Sequence, residues 1–271
     1  MNVQAKLRHA HMVDDKLRTI PLLRAVSKTV KQGDIVVDIG TGLGILAIAA
    51  VKAGANQVYA IDCDSAALDS AQASAVKAGA ADRATFIEGL SFDVDVSPRV
   101  DVILCETVGS FAFDENILAA LLDAKRRLLK RGGKIVPCVL ELWGALCKKI
   151  PRLSVASDIA NVKENDLLGK PSKIISVDFQ KKFNNFIHVK HIFTCSEHGT
   201  VSAVAVWPRV FWGKGEITDA SPLSKPTHWK QGILPIEPRA VKKNERVGIE
   251  LIIKPHPDDP LTMTERLWRW L

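Results

Sequence analysis

Short apolar runs alternate with Ala-rich helical segments between residues 34 and 137. The run Asp34–Ile39 is followed by a Gly-rich turn, as expected for a buried parallel strand. The helical segment Gly44–Ala53 is followed by Gly54, where a left-handed helix cap is favoured. Further strands are predicted at 57–62, 85–87, 100–105 and 134–137, and further helices at 65–78 and 116–130. Strands that alternate with helices of this length predict a doubly wound parallel sheet.

After Pro137 the pattern changes to β-rich segments, which are separated by clusters of Pro, Gly, Asn and Lys. No long amphipathic helix is evident there, and residues 150–172 are polar, either a loop or a short helical excursion. The predicted strands are 139–147, 174–179, 187–194, 200–207, 232–236 and 246–254. This half predicts an antiparallel sandwich or barrel. We therefore predict an α/β Rossmann-like domain over residues 1–137 and an antiparallel β-barrel-like domain over residues 138–271.

Composition excludes several classes of protein. The 271 residues, 47% hydrophobic and 25% charged, are typical of a globular chain of one large or two compact domains. No run of 18 apolar residues is present, so no membrane span is predicted, and the N-terminal segment lacks the pattern of a signal peptide. The five cysteines form no CxxC pair. They favour reduced thiols and a cytoplasmic location.

The net charge of +7 is unevenly placed. Residues 1–140 carry 17 Lys and Arg against 16 Asp and Glu, whereas residues 141–271 carry 20 against 14 and all six tryptophans. Basic pairs at 148–149, 181–182 and 242–243 are either solvated loop charge or contacts to an acidic partner. Nucleic acid ranks last among the partners, because no recognisable nucleic-acid module accompanies these charges.

A glycine-rich turn, Val37–Gly44, joins the first predicted strand to the first helix. Glycines at 40, 42 and 44 let the backbone turn tightly and approach a ligand without a Cβ clash. A dinucleotide fingerprint would need its third glycine at position 45, which is Ile45.

Two acidic residues accompany this turn. Asp38 stands two positions before Gly40, and Asp62 ends the second strand, where a carboxylate can accept both ribose hydroxyls of a nucleotide. A nucleotide-free turn beside an ordinary strand-end aspartate is the alternative. The pattern Asp-x-Gly-x-Gly-x-Gly resembles motif I of class I S-adenosylmethionine (SAM) methyltransferases. The resemblance implies SAM as cofactor, held by Asp38, Gly40, Gly42, Gly44 and Asp62, and no metal site is predicted.

Three further segments resemble motifs of the protein arginine N-methyltransferases. Cys105–Glu115 resembles their double-E loop, Pro226–Gln231 their Thr-His-Trp loop, and His9–Thr19 the helix that folds over the cofactor. The segments stand in the family's order and span nearly the whole chain. The resemblance implies a methyltransferase domain joined at a proline to a β-barrel, and an arginine-containing protein or peptide as substrate.

The chemistry of guanidinium explains why this site would need two glutamates and a histidine. Its lone pairs are delocalised, and two carboxylates, Glu106 and Glu115, can draw positive charge onto the nitrogens that they bind. The remaining nitrogen then becomes the better nucleophile for an in-line methyl transfer. His228 would take a hydrogen-bonding or proton-relay role. The resemblance implies that Arg18 pairs with the carboxylate of the cofactor and that Met12 packs against the transfer site.

Each of these residues also has an ordinary interpretation. Glu115 could lie in the first turn of a helix that starts near Asn116, and His228 could belong to a simple turn beside a packed aromatic residue. Arg18 could be a solvated helix charge, and Met12 a core residue. Their joint occurrence favours the site.

The chain departs from the family pattern in several places. Thr107 and Val108 replace a Trp-Met pair, Phe92 stands where an adenine-contacting glutamate is usual, and Tyr59 is the only tyrosine. The connection over 150–172 is short for the family's dimerisation arm, so a homodimer is left open. Two other functions stay open: methylation of a small guanidine or amine, and a SAM-binding but inactive regulatory or scaffold partner.

Overall fold

The computed structural model describes residues 14–148, 158–259 and 264–271. The α-helices are α1 (Lys16–Thr29), α2 (Ile45–Lys52), α3 (Ser65–Lys77) and α4 (Ile117–Arg127). The strands of the first half are β1 (Ile35–Ile39), β2 (Gln57–Asp62), β3 (Ala84–Glu88), β4 (Val100–Cys105) and β5 (Leu129–Val136). Those of the second half are β6 (Val139–Cys147), β7 (Ile159–Ala160), β8 (Ser172–Asp178), β9 (Ile187–Thr194), β10 (Gly199–Gly213), β11 (Glu216–Asp219), β12 (Gln231–Val241), β13 (Arg246–Pro255) and β14 (Thr264–Trp270).

The first five strands form one parallel sheet in the order β3-β2-β1-β4-β5. Its strands are apolar and mostly buried because helices cover its faces, so the doubly wound parallel sheet is confirmed. The carboxyl ends of β1, β2 and β4 meet at one edge of this sheet, where open α/β folds bind ligands.

One predicted boundary in this half is wrong. The helix expected over 116–130 ends at Arg127, and the strand expected from Lys134 begins at Leu129 and passes through the glycines. Leu129 pairs with Val100 and is buried, and a bulge accommodates the extra residues before Lys134 pairs with Val102. Strand pairing therefore outweighs the helical pattern of residues 128–130.

The second half forms two antiparallel sheets, as the β-rich pattern predicted. One has the order β7-β12-β10-β6-β8 with β11 on β10, and the other has the order β14-β13-β9. Trp207, Trp212, Phe179 and Phe193 fill their core. The pattern missed β7, β11 and β14, which are short or polar. Parallel pairing gives way to antiparallel pairing between β5, which ends at Val136, and β6, which begins at Val139.

One face of helix α1 packs on the half of the chain that contains the parallel sheet. The helix also contacts the second half, residues 138–271, which we call the β half. Its buried residues include Leu22 and Val26, and the hydroxyl of Thr218 on β11 donates to the Leu17 carbonyl at 3.1 Å. Thr218 in turn accepts the indole N–H of Trp212 at 2.8 Å. These contacts fix the first turn of α1 against both sheets. Within the described ranges, no helix has the length and apolar character to cross a membrane.

Candidate active site

The glycine-rich turn adopts the backbone that only glycine favours. Gly40, Gly42 and Gly44 have φ values of 68°, 52° and 76°. The backbone N–H groups of Gly40 and Thr41 donate to the Ile61 carbonyl at 2.9 and 3.0 Å, which ties the turn to the end of β2.

Asp38 supports this turn from behind and is not among the residues that line the cavity in front of it, so its contact with a cofactor stays a prediction. It is fully buried, and its Oδ2 accepts the Thr41 hydroxyl at 2.6 Å and the Ala47 N–H at 3.1 Å. Burial raises the pKa of Asp38 to about 7. The residue therefore holds the turn against the start of α2.

Gly44 also lies away from the cavity. A Cβ added there would come within 2.9 Å of the Ala71 Cβ and 3.3 Å of the Ala71 Cα on α3. The absence of a side chain at Gly44 therefore permits the close packing of α2 on α3, and its contact with a cofactor stays a prediction.

A cavity of about 290 Å³ opens at the carboxyl edge of the parallel sheet. The charged residues and turn glycines that line it are Arg18, Gly40, Gly42, Asp62, Glu106 and Glu115. A second cavity of about 170 Å³ shares Asp62 and Glu115 with it and extends to Ser91 and Phe92. The structure thus brings together residues from four separate segments of the chain.

Asp62 stands between the two cavities, and backbone groups fix its carboxylate. Its Oδ2 accepts the Gly42 N–H at 2.8 Å, and its Oδ1 accepts the Asp64 N–H at 3.0 Å. A carboxylate has about four acceptor positions, so both oxygens can still accept hydrogen bonds from a ligand.

Glu106 follows β4 directly and forms an ion pair with Arg18. Both side chains are largely buried, with 13% of Glu106 and 5% of Arg18 exposed. Burial raises the pKa of Glu106 to about 7, although the positive charge of Arg18 acts in the opposite direction. Without that cation, ionised Glu106 would be an uncompensated charge in the cavity wall.

Glu115 precedes the N-cap of α4, Asn116, and therefore lies outside the first helical turn. Its side chain opens into both cavities. Surrounding protein and the neighbouring charges of Asp114 and Glu106 raise the pKa of Glu115 to about 7. The two glutamates therefore face a common space in which a cation would be stabilised.

His228 lies on a neighbouring cavity of about 680 Å³ with Asp15 and does not line the cavity of the two glutamates. Its Nδ1 is 2.8 Å from Asp15 Oδ2, and its backbone N–H donates to the same oxygen at 2.9 Å. Burial and the nearby charge of Arg18 lower the pKa of His228, although Asp15 acts to raise it. Burial acts to raise the pKa of Asp15, but the hydrogen bonds from His228 outweigh this and the pKa is lowered.

The motifs of the sequence predict no role for Asp15. The side chain caps α1 by accepting the N–H groups of Leu17 and Arg18 at 3.1 and 3.3 Å. An aspartate directly before a helical segment is an N-cap signal, and this signal could have located it. Arg18 then lies one turn from the residue that holds His228. Met12 lies outside the described residues.

The Pro226–Gln231 loop contacts the Cys105–Glu115 loop directly. The Trp229 indole N–H donates to the Val108 carbonyl at 2.6 Å, and the Ser110 hydroxyl donates to the Trp229 carbonyl at 2.5 Å. Trp229 is buried in this contact. The two sequence motifs therefore form one structural unit.

Comparisons with known proteins agree with this geometry. Residues 18–139 match the family model described as ribosomal protein L11 methyltransferase (PrmA). The chain is 28% identical to protein arginine N-methyltransferase 1 of Chlamydomonas reinhardtii, over 93% of this chain and 82% of that protein. It is 27% identical to protein arginine N-methyltransferase 6 of Xenopus tropicalis, over 93% of this chain and 85% of that protein.

The fold is shared with solved structures of the same group. The Trypanosoma brucei PRMT1 enzyme–prozyme heterotetrameric complex with AdoHcy superposes with a TM-score of 0.84, over 97% of this chain and 98% of that chain, at 20% identity. At this identity the likeness shows the fold alone. The sequence matches run along nearly the whole chain, so the chain is similar in sequence to protein arginine N-methyltransferases and shares their fold.

Proposed function

We propose that the protein is a SAM-dependent N-methyltransferase that methylates a guanidino nitrogen of arginine in a protein or peptide. One observation carries the proposal: Glu106 and Glu115 face the same cavity as the glycine turn and Asp62. A cation-binding carboxylate pair beside a nucleotide-type turn fits transfer to a guanidinium better than transfer to a hydroxyl or carbon acceptor.

The residues present fit SAM. Gly40 and Gly42 leave the backbone of the turn open to a ligand, and the accepting oxygens of Asp62 stand at the junction of the two cavities. Arg18 supplies a cation on the cavity wall for the carboxylate of the cofactor. The cofactor would bring a sulfonium methyl group as the electrophile.

The two glutamates would orient and polarise the acceptor. When two carboxylates hold a guanidinium, the lone pair of its remaining nitrogen is less delocalised. That nitrogen then attacks the methyl group in line with the departing sulfur. Because both pKa values lie near 7, binding of the cation would favour the ionised carboxylates. Arg18 already contacts Glu106, so the acceptor would share that carboxylate with it.

His228 lies outside the glutamate cavity, so it would receive the proton that leaves the methylated nitrogen indirectly, from the neighbouring cavity that it lines. Its lowered pKa keeps it neutral near pH 7, and its cavity connects it with solvent. Asp15 would act as a positioning residue by holding Nδ1, which leaves the other ring nitrogen to accept the proton.

The test is mass spectrometry of an arginine-containing peptide pool after incubation with the protein and methyl-deuterated SAM. We expect a mass gain on arginine side chains that Glu106→Gln abolishes while SAM binding persists. Glu237→Gln is the matched control, because it makes the same chemical change on an exposed face of β12. A mass gain that survives in Glu106→Gln, or none on any peptide while SAM binds, would contradict the proposal.

We also propose that the acceptor is a protein and that the chain assembles into a homodimer. The related Trypanosoma brucei protein is a heterotetrameric complex, which supports oligomerisation in the family. Residues 150–157 of the connection expected to form a reduced arm lie outside the described residues. Light scattering of the purified protein measures the assembly, and a monomer at all concentrations would refute a homodimer.

A further inference from the structure

A second large cleft lies at the edge of the parallel sheet opposite the glutamate cavity. It has a volume of about 520 Å³ and begins where β1, β4 and β5 start. Its lining runs along the edge strand β5 as far as Val136 and shares no residue with the lining of the glutamate cavity. A ligand in this cleft would therefore leave the glutamate cavity free.

The rim of this cleft is strongly basic. Six cationic side chains line it, against the two acidic side chains Asp34 and Asp101. The cations come from the end of α1, from the turn before β1, from β5 and from the β10–β11 hairpin: Lys28, Lys31, Lys130, Arg131, Lys134 and Lys214.

Both acidic residues already have partners. Asp101 accepts the Ile35 N–H at 2.9 Å and both of its oxygens lie 2.8 Å from the Lys130 ammonium, whereas Asp34 accepts the Lys31 backbone N–H at 2.8 Å. Lys28 pairs with Glu216 at 2.5 Å.

Four of the six cations on the rim of the cleft have no acidic partner among the described residues. Across the described ranges, the side chains of Lys31, Arg131, Lys134 and Lys214 form no ion pair, and all four are exposed. This contrasts with Lys148 and Lys181 in the basic pairs of the sequence, which pair with Glu197 and Asp178. The cleft therefore brings together four uncompensated cations from three separate segments of the chain.

The floor of the cleft is apolar. Val102, Ile135, Val136 and Trp212 lie there, and all four are almost completely buried, so they offer little apolar surface to a ligand. A single-stranded nucleic acid would need exposed aromatic faces on which bases stack, and Trp212 presents none.

We propose that this cleft binds an acidic polypeptide segment of a partner protein. Unpaired cations on separate segments around the cleft fit an extended chain that carries several carboxylates along its length. These cations stand on the turn before β1, on β5 and on the β10–β11 hairpin, so an extended ligand can contact more of them than a single small anion can.

The test is fluorescence anisotropy with a labelled eight-residue peptide of six glutamates and two leucines, at low ionic strength. The same peptide with glutamines in place of the glutamates is the probe control. The cleft variant is Arg131→Gln, Lys134→Gln and Lys214→Gln. The matched variant is Lys170→Gln, Lys242→Gln and Lys243→Gln, which removes equal charge from exposed positions elsewhere.

We expect the acidic peptide to bind and the glutamine peptide not to bind. The cleft variant should raise Kd by about tenfold, and the matched variant should leave it within about twofold. An equal loss in both variants, no loss in the cleft variant, or no binding would overturn the proposal. A ten-nucleotide single-stranded RNA that binds in place of the peptide, with loss in the cleft variant, would also overturn it and assign the cleft to nucleic acid. The assay involves no methyl transfer, so its outcome is independent of the proposed activity.

Discussion

Asp15 and His228 lie 213 positions apart in the sequence and are joined by two hydrogen bonds. The backbone N–H and the ring Nδ1 of His228 both bond to the same carboxylate oxygen of Asp15. The other oxygen of Asp15 caps α1. The same carboxylate therefore starts the helix that carries Arg18 and holds the histidine of the β half. Arg18 in turn pairs with Glu106, so the capping residue links the histidine to the glutamate cavity.

Replacing Asp15 should separate its two roles. Asp15→Ser keeps an N-cap acceptor but removes the charge beside His228, so we expect near-normal stability and a kcat reduced by at least about tenfold. Asp15→Ala should in addition lose about 1 kcal/mol of unfolding free energy. Thermal unfolding and steady-state rates measure these effects. A normal kcat in Asp15→Ser would contradict a positioning role for Asp15.

The activity should depend on pH through the two glutamates. Their pKa values are raised to about 7, and only the ionised carboxylates bind a guanidinium well. We therefore expect kcat/KM for an arginine peptide to fall as the pH decreases through about 7. Initial rates between about pH 5.5 and pH 8.5 measure this profile. A flat profile down to the lowest pH would show that neither group needs to ionise.

Asp38 should make stability depend on pH in the opposite sense. Burial raises its pKa to about 7, so the folded state keeps a proton that the unfolded chain has already released. This stability is fully present below the unfolded pKa and is lost as the pH rises through about 7.

Asp38→Asn should remove that dependence, which amounts to roughly 2–3 kcal/mol between about pH 5 and pH 8. Urea unfolding at the two pH values measures it, with Asp82→Asn as a control at an exposed site. An unchanged difference between the two pH values in Asp38→Asn would rule out Asp38 as its source.

Gly44 and Gly79 form a matched pair for separating backbone strain from packing. Both have positive φ, but a Cβ at Gly79 meets nothing within 4 Å, whereas one at Gly44 meets Ala71. Gly79→Ala should cost about 1 kcal/mol of unfolding free energy, and Gly44→Ala about 2–3 kcal/mol. Equal losses in chemical unfolding would show that α2–α3 packing contributes little.

The sequence by itself determined the alternation of strands and helices, the change to β structure after Pro137 and the residue types of the site. These features are local: apolar periodicity, turn glycines and strand-end acids are properties of neighbouring residues. The grouping of Glu106 with Glu115 also followed, because a short loop joins them.

Only the tertiary structure decided which of these residues face the cavity. Asp38 and Gly44 belong to the sequence motif, yet both contribute to the packing behind the turn. Leu129 lies in a strand and not in the predicted helix, because it pairs with Val100. The contact of Asp15 with His228 and the convergence of Lys31, Arg131 and Lys214 at one cleft depend on segments far apart in the chain. Such contacts follow from how helices and sheets pack, which no local pattern of residues specifies.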